Sequence, residues 1–88
     1  MPKLSTFFGI EISIRTRETP HHRPHFHARY AGEEVSIAID TFEVLAGIIQ
    51  HRALGMVMEW AMLHRTELLA AWNSIQAGHV PAKITPLK

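Results

Sequence analysis

The chain contains no cysteine. Disulfides and thiolate chemistry are therefore excluded, and any zinc would have to be held by histidine and carboxylate ligands. Long apolar runs are missing as well. None reaches the roughly 18–20 residues needed to span a bilayer, so no membrane association is expected. A charge excess is also missing: nine basic residues face eight acidic ones, for a net charge of +1 with histidine neutral. That balance lacks the general positive footprint of a nucleic-acid-binding domain. There is no Gly-rich phosphate loop, no nucleophile elbow, no helix-turn-helix pattern and no internal repeat. Met1-Pro2-Lys3-Leu4 lacks a signal-peptide apolar region, and the expected compartment is the cytoplasm.

What the chain does have is histidine, and it is concentrated. Four of the seven histidines lie in residues 20–30, at His21, His22, His25 and His27. Arg15, Arg17, Arg23 and Arg29 fall in the same third of the chain, so protonation near pH 6.5 would make this region strongly positive. The 88 residues make one domain, read as a sheet part over 1–49, a helix over 50–78 and an extended tail over 79–88. A chain of this size buries only about 60–65% of the surface its unfolded form exposes, so a partner or second copy is a natural complement.

Residues 4–15 alternate, with Phe8, Ile10, Ile12 and Ile14 on one face, which predicts a half-buried strand. Residues 16–24 form a loop punctuated by Pro20 and Pro24. Residues 25–30 and 35–40 read as two more strands joined by a hairpin. A two-residue loop at Gly32 and Glu33 would pair Phe26 with Ile39 and Ala28 with Ile37, so that the apolar faces coincide. The same register sets His25 opposite Asp40, His27 opposite Ala38 and Arg29 opposite Ser36. A short fourth strand is expected over 43–48. From His51 the period becomes helical, with Leu54, Val57, Ala61, His64, Leu68, Trp72 and Ile75 on one stripe and Gly78 as the stop. One long helix of roughly 40 Å follows at 1.5 Å per residue; a break near 64–66 is the alternative. Residues 82–85 could add to a sheet edge. The fold class predicted is α+β: a three- to four-stranded antiparallel sheet packed on one long C-terminal helix.

Two chemistries suit the histidine strand. His25 and His27 share a face with alpha carbons about 6.5–7 Å apart. With Asp40 as third ligand, and His21 or His22 as fourth, they could hold zinc or another divalent transition metal. The other chemistry is metal-free acid–base cleavage of RNA. There His25 and His27 would exchange protons and Arg29 would clamp phosphate, with Arg15 and Glu11 on a neighbouring strand. Against both stands a plain polar sheet face. His64, Trp60 and Trp72 read as packing residues.

Several blocks carry a resemblance: Phe8-Gly9-Ile10, Pro24-His25-Phe26-His27-Ala28-Arg29-Tyr30, Ile39-Asp40, Arg52-Ala53-Leu54, Glu59-Trp60-Ala61-Met62-Leu63-His64-Arg65, Ala71-Trp72-Asn73 and Lys83-Ile84-Thr85-Pro86-Leu87. Together they resemble a family of small bacterial proteins, the "four-one-six-zero" domain of unknown function. The chain departs from the family's pattern at Arg23, where a second proline is frequent, and in adding His21 and His22. The resemblance implies one half of a two-gene, toxin–antitoxin-like cassette, and hence a small protein partner encoded by the adjacent gene. It supplies no catalytic residues. Two functions are carried forward: an RNA-acting toxin using His25, His27 and Arg29, or a non-catalytic module that binds a partner or a metal. The long helix offers a surface for homo-oligomerisation.

Overall fold

The alternating run at the start of the chain is folded as a hairpin rather than as one strand. In the computed structural model, which describes residues 3–15 and 23–88, it gives β1 (Lys3–Phe7) and β2 (Ile10–Ser13). The turn between them is made by Phe8 and Gly9, both with positive φ. Phe8 was expected on the buried face; at the tip of the turn it is instead 59% exposed. Ile10, Ile12 and Ile14 are fully buried as their alternation predicts.

β3 (His25–Tyr30), β4 (Glu33–Ala38) and β5 (Val44–Ile48) complete the sheet. It is a five-stranded antiparallel meander in the order β1-β2-β3-β4-β5. The expected three or four strands become five because the first of them folds back on itself. The β3–β4 turn corrects the expected register. Ala31 (φ 51°) and Gly32 (φ 83°) both adopt the left-handed conformation, the combination that a tight two-residue hairpin turn requires. The loop is therefore Ala31–Gly32, not Gly32–Glu33, and every pairing moves by two residues. Tyr30 faces Glu33, Arg29 faces Glu34, His27 faces Ser36 and His25 faces Ala38. A shift of two preserves the faces, because side chains alternate with period two. Phe26 and Ala28 still lie on the buried face, now against Ile37 and Val35.

The helical stripe also divides. α1 (His51–Leu63) and α2 (Arg65–Gln76) are separated by His64, whose backbone (φ −129°, ψ 26°) leaves the helical region. Its N–H donates to the Ala61 carbonyl and its carbonyl accepts from Leu68, so one residue ends α1 and begins α2. An unbroken helix would exceed the 33 Å longest dimension of the molecule; the break lets both halves turn their apolar sides inward. Trp60 is wholly buried and packs on Phe7 and Phe26 of the sheet, with ring centroids 5.5 and 6.2 Å away. Its indole N–H donates to the Thr85 carbonyl (2.8 Å), and the Ile84 N–H donates to the Leu4 carbonyl (2.9 Å). The tail thus reaches the β1 edge and closes the core beneath α1. No helix among the described residues is long and apolar enough to cross a membrane.

Candidate functional site

Residues paired across antiparallel strands share a face. Ser13, His27, Ser36 and Ala46 therefore form one row across four strands, and Glu11, Arg29, Glu34 and Ile48 form the next. Arg15, two residues beyond Ser13, continues the polar side of β2 past its end. A cleft of about 310 Å³ opens on this side, lined by Arg15, His25, His27, Glu34, Ser36, Leu45 and Ala46.

Both histidines of the cleft are nearly covered, at 3% exposure each. Their rings lie 5.3 Å apart, edge to face, and Trp72 of α2 packs on His25 at 5.1 Å. The indole shields one side of His25 from water. Nδ1 of His25 lies 2.9 Å from the Arg23 carbonyl. A carbonyl only accepts, so Nδ1 carries the hydrogen and the neutral ring keeps its lone pair on Nε2.

His27 sits in a denser network. Its Nδ1 lies 3.2 Å from the Ser36 hydroxyl, 3.3 Å from the Arg15 guanidinium and 3.4 Å from the Glu34 carboxylate. Arg15 and Glu34 are themselves joined by a 2.5 Å ion pair, with about a third of each side chain exposed. Arginine can only donate and carboxylate can only accept. Nδ1 can therefore accept from Arg15 or Ser36 when the ring is neutral, and donate to Glu34 when it is protonated. Partners for both protonation states are within reach, which is the arrangement needed in a group that takes and returns a proton.

The residues expected at the site are only partly assembled. His25 and His27 converge. Arg29 lies on the same side of the sheet, exposed, one row away between Glu11 and Glu34, and does not line the cleft. Asp40 does not join the histidines. The register sets it beyond the end of β4, where its carboxylate accepts from the Thr41 N–H (2.8 Å) and from Arg23 (3.3 Å). The hydrogen bond from Arg23, foremost, holds the Asp40 carboxyl below its ordinary 3.8; reciprocally, Asp40 first and Glu43 second push the Arg23 guanidinium up. The set His25, His27 and Asp40 is thus not brought together. Among the described residues no three histidine, cysteine or carboxylate side chains could hold a metal ion. His21 and His22 lie outside the described residues.

Ser36 was expected on the histidine side but opposite Arg29 rather than His27, and Glu34 was not anticipated. Strand parity could have found Glu34, since it alternates with the buried Val35, but the register that brings both residues beside His27 depends on the turn. His64, read as a packed residue of the stripe, packs on Trp60 at 5.4 Å, and its Nδ1 meets the Glu67 carboxylate at 2.5 Å.

These features define a small α+β protein with a five-stranded antiparallel meander and a covered histidine pair on one side of it. Residues 9–73 match the family described as domain of unknown function (DUF4160). The match covers well over half of the chain, and the chain belongs to that family. No curated protein and no solved structure matches it significantly.

Proposed function

We propose that this protein is the RNA-acting member of a bacterial toxin–antitoxin-like pair, with the β3 histidines as its acid–base groups. The observation that carries the reading is the convergence of His25, His27, Arg15 and Glu34 on one cleft. In this mechanism His25, through Nε2, takes the proton of a ribose 2′-hydroxyl. The 2′-oxygen attacks the adjacent phosphorus, and the bond from phosphorus to the 5′-oxygen breaks. Protonated His27, steadied by Glu34, returns a proton to that leaving oxygen. Arg15, which lines the cleft, offsets the charge of the phosphate. The partner is the small protein of the adjacent gene, and among the described residues no ligand set supports the metal reading.

Expression in a bacterial host without the partner tests this. Growth arrest is expected, and His27→Ala should abolish it. Purified protein should cleave RNA in the presence of EDTA and leave 2′,3′-cyclic phosphate ends. Unaffected growth together with intact RNA would remove the reading. The second reading, a non-catalytic partner-binding module, is favoured by one observation: both histidines are almost fully covered, as in a polar network that only holds strands in place.

A further inference from the structure

β5 is an edge strand, and every residue in it is exposed. Ile48 is 75% exposed, and Val44 and Leu45 are both well exposed. Edge strands of this kind are usually blunted by lysine, proline or inward charge. β5 has none of these. Its irregularities are the register shift opposite Ser36 and Ile37 and the positive φ of Gly47 (79°). From Val44 to Ile49 the chain carries no charge at all. The charges lie at its ends and differ in sign: Asp40 and Glu43 precede it, only partly offset by the one guanidinium of Arg23 that pairs with both, His51 and Arg52 follow it, and all four flanking residues are exposed.

We infer that β5 pairs antiparallel with β5 of a second copy of this chain. Antiparallel pairing about a two-fold axis brings the start of each strand to the end of the other. The acidic start of one copy then meets the basic end of its mate, twice, around an uncharged centre. A parallel arrangement would set acid beside acid and base beside base. The strand is therefore complementary to itself in one orientation only. The product is a continuous ten-stranded sheet. Because Leu45 and Ala46 also line the histidine cleft, both clefts lie beside the seam and on the same side of the joined sheet. The second copy would wall each cleft where β5 now leaves it open. The pairing does not depend on what chemistry the cleft performs.

Sedimentation equilibrium of the full chain is the test. A dimer is expected for the unaltered protein. Leu45→Lys with Ile48→Lys should give a folded monomer, with circular dichroism confirming the fold. Because that double change could disturb β5 itself, a charge exchange supplies an independent arm. Glu43→Arg alone and Arg52→Glu alone should each weaken the dimer about tenfold, and the two together should restore it. A monomeric unaltered protein overturns the inference. So does a dimer that survives the lysine pair, which would place the contact elsewhere, for instance on the helices. So does a charge exchange without rescue. A monomer that instead binds the adjacent gene's product, and loses it on Leu45→Lys, would give this edge to that partner and likewise overturn self-pairing.

Discussion

Trp60 shows how one side chain can join three parts of the molecule. Its rings pack on Phe7, Phe26 and His64, and its N–H holds the tail at Thr85. Replacing it separates packing from hydrogen bonding. Trp60→Ala should cost about 3–5 kcal/mol in chemical denaturation, in line with other large-to-small core changes. Trp60→Phe keeps much of the apolar volume; it leaves the Thr85 carbonyl without its donor and leaves a smaller void, and should cost clearly less. Asp40 offers a test of a different kind. Its folded carboxyl titrates below its ordinary 3.8 because Arg23 bonds the charged form. A lowered carboxylate pKa stabilises the folded chain above the ordinary value, and that stabilisation is lost as pH falls through the lowered one. Thermal unfolding should thus show unaltered protein ahead of Asp40→Asn at neutral pH, with the gap closing on acidification. Both Asp40 and Arg23 are solvent-exposed, so the effect should be small and weakened by salt.

At the scale of elements, the turns decide more than the strands do. Ala31 holds φ at 51° without being glycine, a conformation that costs an L-residue roughly 1–2 kcal/mol. Ala31→Gly should relieve part of this, and the melting temperature should rise or hold, despite the greater freedom glycine has when unfolded. Gly47 is the opposite case. It combines φ 79° with a close approach in which an added Cβ would sit 2.2 Å from the Glu34 carbonyl oxygen. Backbone cannot swing aside as a side chain can. Gly47→Ala should therefore cost about 2 kcal/mol or more, combining conformational strain and a forced shift of β4. Since Glu34 belongs to the histidine network, the same variant should weaken whatever the cleft does. A protein that unfolds at an unchanged denaturant concentration would show that β5 moves freely against β4.

At the scale of the whole molecule, the tail behaves as part of the fold rather than as an appendage. Ile84 is buried and bonds to β1, and Thr85 accepts from Trp60. Deleting residues 81–88 removes a buried isoleucine and two hydrogen bonds. By the usual values of about 1.5–3 kcal/mol for such a side chain and about 1 kcal/mol for each bond, it should cost about 3 kcal/mol or more. Chemical denaturation of the shortened chain checks it, and an unchanged midpoint would mean that the tail only rests on the core.

Much of this architecture was legible in the chain itself. Alternation assigned most residues of β2, β3 and β4 to their sides: Ile10, Ile12, Ile14, Phe26, Ala28, Val35, Ile37 and Ile39 are all buried, and His25 and His27 share the other side; it misplaced Phe8 and did not reveal β1 as a separate strand. The β5 strand was expected within a residue of where it lies. The helical period was also right, and so was the family to which residues 9–73 belong. Such features depend on period and on local apolar content, which neighbouring residues carry between them. Register is different. It follows from which two residues take the left-handed conformation in a turn, and a turn at Ala31 and Gly32 instead of one residue later moves every cross-strand neighbour by two. That shift gave His27 the company of Ser36 and Glu34 and sent Asp40 to Arg23. The break at His64, which the sequence offered as the alternative to one long helix, and the placement of Trp72 over His25 depend on how far a helix can run before it leaves the sheet it packs on. The amino-acid sequence thus determined the faces and the histidine pair, through periodicity alone. Only the tertiary structure decided which charges and hydroxyls stand beside that pair, because contacts between distant segments are set by turn geometry and by the dimensions of the core.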